Sequence, residues 1–366
     1  MRKEIPCVSR LFGLVCLLTA TLTLATLPVL AAGPCKTSNP NVAKNPAASN
    51  VVQVADFNAD CISDILWRNI PTNQNAMWLM NTPNFTFKQT APLAPAIADW
   101  QIMGTGDFNG DGFADILWRN TSTGEVGIWF MNGASFEDVG TGGYASVTYV
   151  PSDLNWQIVG VGDFNDDGMS DILWQNRATG WVGIWLMNGS TIASSNFVFQ
   201  VTDLNWQIVG VGDFNNDGTS DIFWRNSSTG QNGVWLMKNA AINLAGPSYQ
   251  VTDLNWTVGG TGDFDKDGKS DIFWVNKNTG QTGVWYMDGT NYAAFSFITI
   301  DLLNSGWDMI RTGDYNGDGI SDVLWRNTST GQNGIWIMPG GRAPTFTINT
   351  FTISLYPIPD QNWQMH

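Results

Sequence analysis

Short apolar runs alternate with polar turns along most of this chain, and residues 156–205 show the pattern well. Residues 156–162 are apolar with spaced glycines, residues 172–174 follow an acidic loop, residues 182–187 follow a Thr-Gly turn, and residues 196–201 complete the unit. Runs of this length, bounded by Gly, Asn and Asp, are typical of β-strands. We therefore predict four short strands in this unit.

The same unit recurs six times. Its most regular part is an acidic loop followed by an apolar strand, as in DFNGDGFADILWRN, and successive copies are 51, 56, 50, 50 and 51 residues apart. Four strands in about 50 residues is the size of a propeller blade, whereas a parallel β-helix needs a much shorter repeat and a sandwich does not repeat its sequence. The sequence predicts an all-β fold, a β-propeller of six four-stranded blades.

Tryptophans mark three fixed places in the repeat: seven residues before the acidic loop, just after it, and in the next strand. The first repeat has Ser49 at the first of these places, whereas the C-terminal Trp363 lies in a copy of the segment around Trp156. We therefore expect the C-terminal strand to complete the first blade and close the ring. We interpret the repeated rings as packing between neighbouring blades.

The N-terminus has the features of an export signal. Arg2, Lys3 and Arg10 precede an apolar run over residues 11–30, and small residues follow. An uncleaved anchor is the alternative, because the run is nearly long enough to span a bilayer. We predict a signal peptide at 1–32, a linker or N-terminal stub at 33–50, and one propeller domain at 51–366, with no membrane span after cleavage. The predicted repeats are 51–99, 100–155, 156–205, 206–255, 256–306 and 307–366.

Signal cleavage leaves two cysteines, Cys35 and Cys61. Two thiols in an oxidising compartment most simply pair, which would tie the stub to the first repeat. Two free thiols are the alternative.

Charge and composition narrow the possible partners. The chain has 32 acidic residues against 17 Lys and Arg, for a formal net charge of −15, and the few basic residues form no patch. Such a surface repels phosphate, so we expect no nucleic-acid partner. Nearly all the acidic residues are Asp, which favours turns, and this bias together with 39 Gly supports strands joined by tight loops.

The acidic loops follow the pattern D-x-[DN]-x-D-G-x-x-D. Oxygen ligands at loop positions 1, 3, 5 and 9, with a carbonyl from position 7, suit a hard cation, and the Gly at position 6 permits the sharp turn. Calcium is the expected ion, and a hydrated acidic turn without metal is the alternative. The candidate ligands are Asp56, Asn58, Asp60, Asp64, Asp107, Asn109, Asp111, Asp115, Asp163, Asn165, Asp167, Asp171, Asp213, Asn215, Asp217, Asp221, Asp263, Asp265, Asp267, Asp271, Asp314, Asn316, Asp318 and Asp322.

Two loops depart from the common pattern. The first has Cys61 in place of the glycine, so we expect its site to be weaker or empty, and the fifth gains a carboxylate at Asp265. We therefore predict five to six calcium ions, which would also neutralise most of the excess negative charge.

The unit GDFNxDGxxDILWRN…TG…WxMNG resembles the FG-GAP/VCBS repeats of secreted bacterial proteins, which are related to the calcium-bearing blades of the integrin alpha-subunit and of a fungal propeller lectin. The resemblance covers about residues 51–366. It implies calcium ligands at Asp107, Asn109, Asp111 and Asp115 and at the matching positions of the other repeats. Related propellers often have seven blades, and the Phe-Gly and Gly-Ala-Pro elements are absent here. Such proteins bind glycans or proteins, and some are polysaccharide-degrading enzymes.

Catalytic groups are scarce in this sequence. The single His is His366, the last residue, and signal cleavage leaves only Glu125 and Glu137 as glutamates. We predict no catalytic residues, and a polysaccharide lyase or hydrolase is the less favoured alternative.

Binding groups are better represented. Trp181 lies outside the three tryptophan classes, after Gly180 in a hairpin turn. An exposed indole there could stack on a sugar face or anchor a protein, and a ring folded onto the hairpin is the alternative. Arginines follow the second tryptophan in four repeats, and we interpret them as stacked on Trp or paired with a loop Asp. Contact with glycan hydroxyl or carboxylate groups is the alternative.

Together these features predict a secreted or periplasmic, calcium-stabilised propeller. We expect it to bind an extracellular ligand, either carbohydrate in the manner of a lectin or a surface or matrix protein. The alternative is a structural or surface-assembly module without a small ligand.

Overall fold

The computed structural model describes residues 55–81, 86–89, 99–133, 135–136, 144–147, 153–298, 306–346 and 353–366. The predicted signal peptide, the stub and Cys35 lie outside these ranges, so these assignments and the Cys35–Cys61 disulfide stay predictions. The described residues form strands, turns and loops. Among them, no helix is long and apolar enough to cross a membrane.

Each of the first three repeats builds one antiparallel sheet, which we call a blade and number in chain order. Blade 1 contains β1 (Ile65–Asn69), β2 (Gln74–Asn81), β3 (Thr86–Gln89) and the C-terminal β27 (Trp363–Met365). Blade 2 contains β4 (Trp100–Gly106), β5 (Asp115–Asn120), β6 (Val126–Trp129) and β9 (Tyr144–Ser146), beside a small hairpin of β7 (Met131–Asn132) and β8 (Ser135–Phe136). Blade 3 contains β10 (Trp156–Gly162), β11 (Asp171–Asn176), β12 (Trp181–Asn188) and β13 (Thr191–Gln200), the four strands predicted for this unit.

The later repeats follow the same plan. Blade 4 contains β14 (Trp206–Gly212), β15 (Asp221–Asn226), β16 (Asn232–Lys238) and β17 (Ala241–Ser248). Blade 5 contains β18 (Trp256–Gly262), β19 (Asp271–Asn276), β20 (Thr282–Asp288) and β21 (Asn291–Ile298), and β25 (Thr345–Phe346) adds a fifth, parallel strand. Blade 6 contains β22 (Trp307–Gly313), β23 (Asp322–Asn327), β24 (Asn333–Trp336) and β26 (Ile353–Leu355).

The two ends of the domain meet in blade 1. The C-terminal β27 pairs with β1, with Trp363 opposite Asn69 and Met365 opposite Trp67. The N–H of Ser63 also donates a 2.7 Å hydrogen bond to the carbonyl of Asp314, which joins the first repeat to the sixth. An equivalent bond links each of the remaining pairs of consecutive repeats. In each case the N–H at loop position 8 donates to the carbonyl at position 1 of the preceding loop. These contacts are the ones that the predicted ring closure requires.

The core lies between neighbouring blades. The second strand of each blade is buried almost throughout, and its tryptophan packs against the tryptophan of the third strand, as in Trp174 and Trp185, whose ring centroids are 4.6 Å apart. The first strands approach closely, because a Cβ at Gly160 would lie 2.5 Å from Val211 Cγ2 of the next blade. The first-strand tryptophans, such as Trp156, are only half-buried. They therefore reach the surface at the end of each interface.

Candidate functional site

The acidic loops precede the second strand of each blade and, in blades 2 to 6, join it to the first strand. In the second repeat, Asp107 accepts hydrogen bonds through Oδ1 from the N–H groups of Gly110 (2.7 Å) and Asp111 (3.2 Å), and through Oδ2 from that of Gly112 (2.8 Å). Asn109 Oδ1 accepts a 3.1 Å bond from the same Asp111 N–H. These bonds bring positions 1, 3 and 5 together at one turn, the arrangement that a cation site needs.

Position 9 ties the loop to the third strand. In the third repeat, Asp171 is fully buried, and its two carboxylate oxygens accept hydrogen bonds from Phe164 N–H (2.8 Å) and Met187 N–H (2.9 Å). The same pair of bonds forms at Asp64, Asp115, Asp221, Asp271 and Asp322. Each oxygen keeps a further lone pair, so a structural role and cation coordination are compatible.

Burial removes much of the solvation of these carboxylates. Burial, with a smaller contribution from nearby loop carboxylates, raises the pKa of Asp171 and Asp221 to about 8 and that of Asp107 and Asp213 to about 6, although backbone hydrogen bonds act in the opposite direction. Ionised carboxylates in such a place require a compensating positive charge. The donor set consists entirely of oxygens and therefore fits calcium better than a softer metal.

The first loop keeps the common hydrogen-bond pattern in spite of its cysteine. Cys61 has a φ of 71°, in the left-handed region that glycine occupies in the other loops, and its N–H donates a 2.9 Å bond to Asp56 Oδ2. A side chain in that conformation costs about 1 kcal/mol. A weaker first site stays a prediction.

The fifth loop has the most concentrated negative charge. Oxygens of Asp263, Asp265 and Asp267 lie within 4.8 Å of one another and could hold a metal ion. Arg342, which follows β24, donates hydrogen bonds to Asp265 and, at 2.6 Å, to Asp267, and its guanidinium lies 5.6 Å from the centre of the Tyr286 ring. The extra carboxylate of this loop is therefore paired with a side chain of the sixth repeat.

Trp181 begins β12, and its ring is partly exposed and also packed against a neighbouring strand. Its side chain is 37% exposed, and its ring meets that of Phe197 edge-on at 5.6 Å. Phe197 is 71% exposed and also lies 5.9 Å from Trp156. Blade 3 thus has an exposed aromatic cluster, and a ligand role for Trp181 stays a prediction.

A groove of about 550 Å³ lies where blade 3 meets blade 4. Its aromatic lining is Trp206, Trp224 and Trp235, and its polar lining is Gln231, Asn232, Ser248 and Gln250. The described residues around it carry no charge. Ser248 Oγ is buried and has no hydrogen-bond partner among the described residues. Trp224 Nε1 is also without a partner there, but so is the equivalent indole N–H of the other five blades, so it does not distinguish this groove. Buried polar groups normally have partners, so a ligand hydroxyl group would satisfy the Ser248 hydroxyl.

The corresponding groove of blade 3 is smaller, about 160 Å³. It has the matching tryptophans, but Phe197 stands where blade 4 has Pro247. The phenyl ring fills space that the proline leaves open. Gln231, which lines the larger groove, occupies the repeat position of Trp181. The predicted ligand residue Trp181 therefore stands at a groove position of the repeat, but it belongs to blade 3, whose groove is the smaller one.

The repeated arginines bridge neighbouring blades and stack on tryptophan rather than pairing with a loop Asp, one of the two arrangements expected. The guanidinium carbon lies 4.9 to 5.1 Å from the centre of the second-strand tryptophan ring of the next blade. The pairs are Arg68 with Trp118, Arg119 with Trp174, Arg225 with Trp274, and Arg326 with Trp67. Blades 3 and 5 have Gln175 and Val275 at this position. Val275 lines an open cavity, so its departure from the repeat is a sequence signal for that cavity.

Comparison with known proteins identifies the repeat. A family model described as an FG-GAP-like repeat matches residues 56–118, 107–174, 163–224 and 263–325, more than half of the chain. A search of curated proteins finds no match in sequence.

Several solved structures are similar to this chain. One is a lectin of Agrocybe aegerita, described as recognising non-reducing terminal N-acetylglucosamine: it is 17% identical, with a TM-score of 0.54, and the match covers 85% of this chain and 80% of the lectin. Another is a nidogen/laminin complex, 12% identical with a TM-score of 0.48, in which the match covers 83% of this chain and 96% of the other. At these identities the likeness concerns the fold alone.

Proposed function

This chain belongs to the FG-GAP-like repeat family, and on that basis we propose that it is an exported, calcium-stabilised β-propeller that binds an extracellular carbohydrate. The observation that carries the proposal is the uncharged aromatic groove between blades 3 and 4. Sugars have apolar C–H faces that stack on aromatic rings and hydroxyl groups that bond to amides. Trp206, Trp224 and Trp235 supply the rings, and neighbouring Gln, Asn and Ser side chains supply the polar partners.

Calcium would have a structural role in this protein. Positions 1, 3, 5 and 9 of each loop would hold the ion, because hydrogen bonds bring positions 1, 3 and 5 together and the position-9 carboxylate at the end of the same loop is buried. A bound divalent ion compensates the carboxylates and binds the folded loop far better than the unfolded chain. Five to six such ions would stiffen the ends of the strands that carry the grooves.

Export is supported by the sequence of residues 1–32, with its basic start and apolar run. An extracellular or periplasmic location would also supply calcium and carbohydrate ligands. The fold of the Agrocybe aegerita lectin supports a glycan as the first ligand class to test, with a terminal N-acetylglucosamine among the probes.

A glycan array tests this function. We expect the mature protein to bind a defined class of sugar in millimolar calcium and to lose binding in EDTA. The variant Trp206→Ala should abolish binding, whereas Trp256→Ala, the same change one blade later, should retain it. Both tryptophans are half-buried, so the pair controls for general damage.

A clean negative result from folded, calcium-loaded protein would overturn the carbohydrate proposal. Binding to an envelope or matrix protein, or self-association without any soluble ligand, would then favour the surface-assembly alternative. Equal losses in both variants would indicate damage to the ring rather than a contact with sugar.

A further inference from the structure

The chain uses its own arginines to fill a recurring site between blades. At the interface of blades 4 and 5, Arg225 lies over the Trp274 ring and donates a hydrogen bond to the carbonyl of Gly230 (3.3 Å). At the interface of blades 1 and 2, Arg68 lies over the ring of Trp118 and donates a 2.7 Å bond to the carbonyl of Trp100. Each site therefore consists of an aromatic face and backbone carbonyls, the two elements that recognise a guanidinium group.

The interface of blades 5 and 6 has this site without its arginine. Val275 stands at the repeat position of Arg225, and a cavity of about 440 Å³ opens beside it. Trp325, the counterpart of Trp274, lines the cavity, and so does Gly280, the counterpart of Gly230. The aromatic ring and the glycine carbonyl position of the filled sites are therefore present here, whereas Thr282 stands where Asn232 accepts a 3.1 Å bond from Arg225.

We propose that this cavity binds the guanidinium group of an arginine side chain from a peptide or protein partner. The proposal does not depend on carbohydrate binding in the groove between blades 3 and 4. The four filled interfaces indicate which chemical group the site accepts, because the tryptophan ring and the glycine at the same repeat positions line it. The cavity adds Trp307, which matches Trp100, an acceptor of the Arg68 bond.

Charge favours a cationic occupant at this interface. Asp308 is exposed and lines the cavity, so its carboxylate can pair with an incoming guanidinium group. Lys277 also lines the cavity and opposes binding, but its ammonium is exposed on a flexible stem and can turn away. Removal of Lys277 should therefore strengthen binding.

The interface of blades 3 and 4 is a poorer guanidinium site, although it also lacks the arginine. Gln175 Nε2 there already donates a 3.3 Å bond to the carbonyl of Trp206, and no carboxylate lies among the described residues that line the groove. A neutral ligand suits that groove, whereas a cation suits the cavity beside Val275. The two open interfaces thus differ in the ligand class that they fit.

The test titrates N-acetyl-L-arginine amide into the calcium-loaded protein and follows the indole N–H resonance of Trp325, identified with Trp325→Phe. We expect a saturable shift. N-acetyl-L-citrulline amide has nearly the same shape without the charge, and it should bind about tenfold more weakly or not at all. Val275→Arg should abolish binding, because the new guanidinium would occupy the site as Arg225 does one interface earlier.

A second variant guards against misfolding of Val275→Arg. Arg225→Val should open the equivalent cavity over Trp274 and add a second saturable site, while Trp325 still responds. Undiminished binding in folded Val275→Arg, or equal binding of the citrulline and arginine amides, would overturn the proposal. A shift confined to residues outside the interface of blades 5 and 6 would also contradict it.

Discussion

The acidic loops are nearly identical in all six blades, whereas the ends of the blades that carry the repeated tryptophans differ from one blade to the next. In the loops, the buried position-9 carboxylate accepts the same two backbone bonds in all six repeats. At the opposite ends of the blades, where the repeated tryptophans lie, single departures from the repeat at Val275 and Pro247 line open grooves. The repeated loops therefore serve the fold, whereas the binding sites that we propose lie where one blade departs from the others.

Removal of calcium should have the largest effect, because it acts on all the loops at once. Each ion that binds only the folded state adds stability that grows with its concentration relative to Kd. We expect excess EDTA to lower the melting temperature by about 10 °C or more. Restored calcium should reverse the loss. If the melting temperature is unchanged in EDTA and the purified protein contains no metal, the acidic loops do not bind calcium.

Loss of one position-9 carboxylate should be the next largest effect. Asp171→Ala leaves the buried N–H groups of Phe164 and Met187 without acceptors, so we expect a loss of about 3 kcal/mol in the free energy of unfolding. The matched control is Asp166→Asn in the same loop, an exposed residue with a left-handed backbone that Asn also adopts readily, where about 0.5 kcal/mol or less is expected.

Urea unfolding of both variants, with calcium and with EDTA, separates the two roles of Asp171. A difference that persists in EDTA belongs to the backbone hydrogen bonds, and one that vanishes belongs to the metal. Equal stability of the two variants in both conditions would contradict the structural role of position 9.

Exchange of one side chain between two grooves should give the smallest change in stability but a clear change in binding. Pro247→Phe should fill the groove between blades 3 and 4 as Phe197 fills that of blade 3, and so weaken glycan binding about tenfold. Phe197→Ala should enlarge the blade 3 groove beside Trp181 with little loss of stability, because Phe197 is mostly exposed. Calorimetric titration measures both affinities, and glycan binding unaffected by Pro247→Phe would place the sugar elsewhere.

Much of this architecture was predictable because the repeat is a local property. The period of about 50 residues predicts the blade, and the strands of blade 3 lie where the apolar runs place them. The copy of the Trp156 segment around Trp363 predicts the pairing of β27 with β1. The convergence of loop positions 1, 3 and 5 also follows from the sequence, because turn geometry acts over a few residues.

The sites between blades were less predictable. The sequence shows an arginine after the second tryptophan, but not that its guanidinium lies over a ring of the next blade, about 50 residues further on. The same limit applies to Arg342, which contacts Asp265 across 77 residues. The sequence indicates Trp181 as a ligand-binding residue because it lies in a hairpin turn. The larger groove instead depends on the small Pro247 of another blade.

The sequence by itself thus determined the repeat, the strands, the acidic loops and the meeting of the two chain ends, because each depends on short-range geometry copied six times. The tertiary structure decided which interfaces are filled and which are open. An interface brings together side chains from different repeats, and its volume depends on whether Arg225 or Val275, or Phe197 or Pro247, stands in it. That outcome depends on packing between blades, which no single repeat contains.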